Sequence, residues 1–334
     1  MALYLAHLCA LVASAPPRGP GAGAWQTATP ESQGLDSREL ADVALSIQEA
    51  YKSYGQDRQC FLVVKNGFIV FEEYYGDFKQ DSVREVMSLT KSMCATLFGI
   101  AEAQGWASIY DKVHDSIENG RQCNVDATFE NVLTMTGTSV NLTAPTFSYD
   151  ALGNECLDSL NDYIKERNPE GLATPVWKQK YFHEPLGLEH TEWSSLLPPP
   201  FGTNLVCGFT ARSSCRDEAR IAQLFVNEGA WPMEDGSAAQ MLTRDFSIEA
   251  RRTTVKSDIA DQNITAGAEY GFTMWLDSND PVDSEIAHME GLDAQCTYFS
   301  KKHEAVVVSF GNGDSLEPGC PPVWDHARHS IVSK

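Results

Sequence analysis

The chain has 334 residues, 43% of them hydrophobic in type, which is enough apolar material for a large core in one domain or two lobes. Its net charge is −21 with a pI near 4.7, and the acidic residues are spread along the chain. No basic face is visible, which argues against a nucleic-acid partner and against an anionic membrane surface.

The N-terminus stands apart. Leu3 to Ala15 is a short apolar run, and Pro16 to Ala24 is rich in Pro, Gly and Ala. Residues 1–24 read as a secretory signal, with Ala22 and Ala24 before Trp25 as one cleavage site and Ala13 and Ala15 as another. A disordered tail is the alternative. The folded domain is then expected over residues 25–334. No later segment reaches the roughly 18 apolar residues of a membrane span.

Asp36 to Tyr54 reads as a helix. Asp36 caps it, Glu39 follows three residues on, and Leu40, Val43, Ala44, Ile47 and Tyr51 repeat at helical spacing up to Gly55. Cys60 to Lys65 and Phe68 to Tyr74 are rich in β-branched and aromatic residues, and Asn66-Gly67 between them suits a type I′ hairpin. Ser88 heads an amphipathic helix with Leu89, Met93, Leu97 and Ile100 on one face, ending near Gly105. The stretch to Trp193 is helical and loop-rich, and Arg212 to Glu228 is helical. Tyr270 to Leu276 reads as one strand. Gln295 to Ser300 and Glu304 to Phe310 read as two more, joined through Lys301-Lys302-His303. This order predicts an α/β (α+β) fold, with one antiparallel sheet of early and late strands, flanked by helices and carrying a helical lobe. The tail after Gly311 has little periodicity.

Of nine cysteines, Cys9 falls in the signal and eight remain, an even number that suits disulfides in a secreted protein. Their pairing is open; Cys94, inside the Ser88 helix, is the best candidate for a buried thiol. Asn141-Leu-Thr143 and Asn263-Ile-Thr265 are N-glycosylation sequons. There is no C-x-x-C, H-E-x-x-H, P-loop or G-x-S-x-G motif, and His326 and His329 have no third ligand nearby. No metal or organic cofactor is implied.

Ser88-Leu-Thr-Lys91 is the most informative tetrapeptide. Residues i and i+3 share a helix face, so the lysine reaches the serine hydroxyl, which needs a neighbouring base to become nucleophilic. Three further segments follow in order: Phe129 to Gly137, Phe147-Ser-Tyr149, and Glu184-Pro-Leu-Gly to Trp193. Together with Val86 to Gly105, these segments resemble the serine β-lactamase-like family, in its class C and esterase branch, which includes 6-aminohexanoate-dimer hydrolases. The likeness runs from about Trp25 to Gly311.

The resemblance implies that Ser88 is acylated, that Lys91 helps remove its proton, and that Tyr149 is the catalytic tyrosine, its pKa depressed by the lysine toward service as a base. In His288-Met289-Glu290-Gly291, Gly291 takes the glycine of the family's third motif and Met289 stands where Lys or His is common. Leu292 and Ser88 would supply the backbone N–H groups of an oxyanion hole. Ala151 replaces the family's Asn. The missing Asn and Lys favour an ester or small linear amide over a β-lactam. The expectation is a secreted serine hydrolase acting on a small-molecule ester or amide, of open oligomeric state. A catalytically silent binding protein and a D-amino-acid peptidase are the alternatives.

Overall fold

The computed structural model describes residues 16–117, 121–193, 206–252, 255–257, 268–313 and 319–332. Helix α1 (Ser37–Lys52) begins as its sequence predicts, with the Asp36 carboxylate accepting from the N–H groups of Arg38 and Glu39. Strands β1 (Asp57–Lys65) and β2 (Phe68–Tyr74) form the expected hairpin. Asn66 (φ 53°) and Gly67 (φ 80°) both take the left-handed conformation that a type I′ turn requires. Along β1, Phe61 and Val63 enter one core, and Leu62 and Val64 enter another. Both faces of this strand are therefore covered, which explains its unbroken apolar run.

Helix α2 (Thr90–Ala103) follows a short turn of 3-10 helix at Met87–Leu89. It is buried on every side from Thr90 to Ala101, not on one stripe. The lobe built around α3 (Ala151–Leu157) and α4 (Ser159–Arg167) covers the side that an amphipathic helix would expose. Helix α5 (Cys215–Val226) returns the chain to the sheet.

After a small separate hairpin at Ala230–Pro232 and Ala238–Gln240, six strands belong to the main sheet: β3 (Val255–Lys256), β4 (Glu269–Tyr270), β5 (Trp275–Leu276), β6 (Ala287–Gly291), β7 (Gln295–Ser300) and β8 (Ala305–Asn312). With the β1–β2 hairpin they form one sheet in the order β2-β1-β8-β7-β6-β5-β4-β3, every pairing antiparallel. The expected union of early and late strands is the β1–β8 pairing, with Val63 opposite Val307. The single strand expected over Tyr270 to Leu276 is instead two short strands, because the chain reverses where Gly271 N–H donates to the Met274 carbonyl and Thr273 turns left-handed.

The tail after Gly311 contains helix α6 (Pro321–Ala327), too short to show a period. It packs with α1 on one sheet face, while α2, α5 and the lobe cover the other. No helix among the described residues is long and apolar enough to cross a membrane.

Four disulfides join Cys60 to Cys215, Cys94 to Cys207, Cys123 to Cys156 and Cys296 to Cys320. Cys94 is therefore not a free thiol; its partner lies 113 residues away and no local pattern announces it. Near the N-terminus, the body already includes residues before Trp25. Arg18 pairs with Glu304 and bonds Asn66, and Arg220 donates to the carbonyls of Gly21 and Gly23. Residues 1–15, with Cys9, and the Asn263 sequon lie outside the described residues.

Glu218, on α5, is fully buried beside Ser213, and burial pushes its carboxyl up to about 8. The folded state thus holds a proton that the unfolded state releases near 4.5, so stability is lost as pH rises between those values. Glu218→Gln is expected to remove that loss, at most about 4 kcal/mol at pH 8. Melting curves of both proteins from pH 5 to 9 check this: the advantage of the variant must grow with pH.

Candidate active site

The chain enters α2 through a strained corner. Met87 sits at φ 50°, a conformation that costs a side-chain-bearing residue energy and persists where surrounding contacts impose it. Those contacts are present. Val86 N–H donates to the Ala211 carbonyl at 3.0 Å, the Thr90 hydroxyl donates to the Met87 carbonyl at 2.6 Å, and Ala211 N–H donates to Thr90 Oγ1 at 3.0 Å. The corner leaves Ser88 half-buried at the head of the helix.

Lys91 lies one turn on, 2% exposed. Its Nζ donates to Ser88 Oγ at 3.0 Å and to the Gly208 carbonyl at 2.8 Å. It also sits over the ring of Tyr149, 4.6 Å from the centroid. Burial lowers the Lys91 amine from 10.5 to about 7, opposed by the negative charge of Asp158. A large fraction is therefore neutral at neutral pH and able to take a proton from Ser88.

Tyr149 is partly buried, and its phenol is hydrogen-bonded to Ser88. Burial raises its pKa well above the ordinary value, against the expected depression. Desolvation of a phenolate outweighs a neighbouring lysine that is itself driven toward neutrality. Tyr149 is therefore a neutral phenol, suited to donating or passing on a proton, and Lys91 is the better base. Phe147, Tyr270 and Trp275 surround its ring at centroid distances of 6.0, 6.2 and 5.7 Å, forming an aromatic cluster beside Ser88 in which Phe147 and Tyr270 are buried.

Gly291 ends β6 against the same corner. A methyl group there would lie 2.1 Å from the Val86 carbonyl oxygen, so only glycine lets this strand approach the Ser88 turn. Gly291→Ala is expected to cost about 1–3 kcal/mol and to slow acyl transfer with it; parallel melting and ester-hydrolysis measurements check both. Leu292 follows with its side chain exposed, and the turn closes through Asp293 and Ala294, both left-handed.

Met289 is fully buried in the core that contains Val86 and Leu89. His288 belongs to the opposite face of the strand, stacked on Tyr298 at 4.4 Å and 3.2 Å from Glu290 Oε2. Neither offers a cation to the Ser88 side. Ala151 is exposed at the start of α3. The structure thus brings Ser88, Lys91 and Tyr149 together, and sets Gly291 against the carbonyl of Val86, two residues before Ser88.

Sequence reasoning missed Gly208 and Asp158. A carbonyl acceptor has no sequence signature, and Asp158 sits at the junction of α3 and α4 where an acidic residue passes as a helix cap. Asn154 packs on Gly208, its Oδ1 buried and without a hydrogen-bond partner.

This architecture, with a Ser–Lys pair opening a core helix against an antiparallel sheet, is the fold of serine β-lactamases and penicillin-binding proteins. Solved structures with this fold include a protein described as a 6-aminohexanoate-dimer hydrolase from Bacillus anthracis, at 14% identity and TM-score 0.64, covering 94% of this chain and 88% of that one. A protein described as a β-lactamase from Bacteroides dorei matches at 16% identity and TM-score 0.65, covering 89% and 99%. A family VIII carboxylesterase matches at 13% identity and TM-score 0.64, covering 89% and 98%. No protein-family model and no curated protein matches the chain.

Proposed function

We propose that this protein is a serine hydrolase that cleaves an ester or small linear amide through an acyl-enzyme on Ser88. The observation that carries the reading is the buried Lys91 amine, 3.0 Å from Ser88 Oγ and lowered to about 7. Lys91 takes the hydroxyl proton as Ser88 attacks the carbonyl. The oxyanion is received by the backbone N–H groups of Ser88 and Leu292, which Gly291 holds against the corner. Tyr149 carries a proton to the leaving group, and water then releases the acyl group. The partly exposed rings of Tyr149 and Trp275, backed by buried Phe147 and Tyr270, suit an apolar acyl chain.

Buried Met289 and outward His288 leave no cation on β6 for a substrate carboxylate, which speaks against penicillins and terminal D-amino acids. A panel of short-chain p-nitrophenyl esters, a cephalosporin and a D-Ala-D-Ala peptide tests the reading. Turnover is expected on the esters alone; turnover on the carboxylate-bearing substrates alone would overturn it. The exposed Asn141-Leu-Thr143 sequon and four disulfides support the reading of a secreted glycoprotein. Contacts of residues 18–23 favour cleavage after Ala15 over cleavage before Trp25.

A further inference from the structure

The carbonyl that holds Lys91 belongs to a closed ring. Lys91 and Cys94 are three residues apart on α2 and share a face. Cys94 is bonded to Cys207, and the next residue, Gly208, accepts the Lys91 hydrogen bond at 2.8 Å. From the other side, the Cys207 N–H donates to Asp158 Oδ1 at 2.7 Å. Asp158 is in turn two residues after Cys156, which a second disulfide ties to Cys123. Gly208 is seated so closely on Asn154 that a side chain at 208 would meet Asn154 Oδ1 at 3.2 Å.

We propose that the Cys94–Cys207 disulfide and Asp158 are positioning groups for Lys91, fixing the Gly208 carbonyl that aims its amine at Ser88. The proposal rests on the serine-hydrolase reading of Ser88 and Lys91. Gly208 lies in a loop, and loops open locally at low cost unless cross-linked. The ring returns that loop to the helix one turn from the base it serves. A displacement of about 1 Å at a catalytic base can cost on the order of a hundredfold in rate, so anchoring of this kind has a kinetic consequence beyond stability.

Asp158 contributes twice: its oxygen holds the Cys207 N–H, and its charge favours the ammonium form of Lys91. The groups facing Lys91 are Ser88, Tyr149 and Asp158; those facing Asp158 are Arg121 at 3.9 Å, Asp162 and Glu155.

The test compares the full-length oxidised protein with Cys94→Ser/Cys207→Ser, Asp158→Asn, Asp158→Ala and a control, Cys296→Ser/Cys320→Ser. The readouts are the rate at which a fluorophosphonate labels Ser88 across pH, the Lys91 titration midpoint by 13C NMR of its ε-carbon, assigned with Lys91→Arg, and thermal unfolding. Cys94→Ser/Cys207→Ser is expected to label about thirtyfold more slowly or worse, whereas the control, also short of one disulfide, labels within about twofold of wild type. Asp158→Asn keeps an acceptor for Cys207, so its plateau rate holds while the Lys91 midpoint moves to lower pH, a shift that a merely structural residue would not produce. Asp158→Ala loses rate and shifts the midpoint, and it carries the test if the double cysteine variant does not fold.

Labelling of Cys94→Ser/Cys207→Ser and of Asp158→Ala at the wild-type rate, with an unmoved Lys91 midpoint, would overturn the proposal. A wild-type protein that never labels, but whose Lys91 midpoint responds to Asp158→Asn and to loss of the disulfide, would reject the hydrolase reading and uphold the clamp.

Discussion

Ser88→Ala is expected to lower ester turnover about ten-thousand-fold or more, leaving only the background that an oxyanion site and binding supply. The same variant is expected to melt close to wild type. Ser88 is half-buried at a helix entrance, and its hydroxyl is engaged by Lys91 and Tyr149, not by the scaffold of the corner. That scaffold runs through Val86, Met87, Thr90 and Ala211, none of which uses the Ser88 side chain. Loss of one oxygen therefore removes the reacting atom and leaves the support intact. Turnover of a p-nitrophenyl ester and a melting curve measured on the same preparation check both halves. Retained turnover would place the nucleophile elsewhere.

Lys91→Met is expected to cut the rate about a thousandfold and to stabilise the fold at neutral pH. The two effects share a cause. Burial lowers the amine from 10.5 to about 7, so the folded state sheds a proton that the unfolded state keeps throughout that window. Stability linked to Lys91 is therefore complete above 10.5 and is lost as pH falls to about 7. An apolar side chain of similar length carries no such penalty, so its melting advantage must vanish above pH 10.5, grow as pH falls to about 7 and stay constant below it. In the proposed mechanism the working form is the neutral amine. Wild-type kcat/KM is expected to rise with pH through about 7 and then level off. A flat profile between pH 6 and 9 in the wild type would show that Lys91 is not the base whose ionisation limits the reaction.

The parts of the fold that were legible in the sequence are those set by local rules. Asn66-Gly67 specified its turn because two successive left-handed residues exclude most side chains, and Asp36 specified its helix start because a carboxylate there satisfies free N–H groups. Alternation along β1 was not visible, since a strand covered on both faces reads as a plain apolar run. Helix α2 read as amphipathic because the lobe that buries its far side is assembled from residues more than fifty positions on. Cysteine pairing was likewise beyond reach: Cys94 and Cys207 meet only once the whole lobe is in place.

The candidate site divides the same way. Ser88 and Lys91 are linked by helix geometry, so their spacing was informative, and Tyr149 was found through an ordered likeness to other sequences. Its ionisation was not, because the sign of a pKa shift depends on how far a group is desolvated, which spacing does not report. Met289 and His288 illustrate a finer point. The sequence match picked out both residues just before the strand from Gln295; the chain instead runs them within β6, whose alternation sends Met289 into the core and His288 to the other face. Gly208 serves through a backbone carbonyl, and any residue has one.

The most direct measurement of the central claim is mass-spectrometric mapping of the adduct formed by a fluorophosphonate on the folded protein. The account predicts one adduct, on Ser88, absent from Ser88→Ala and forming faster as pH rises through about 7. A folded wild-type protein that forms no adduct, or forms it on another residue, would contradict it.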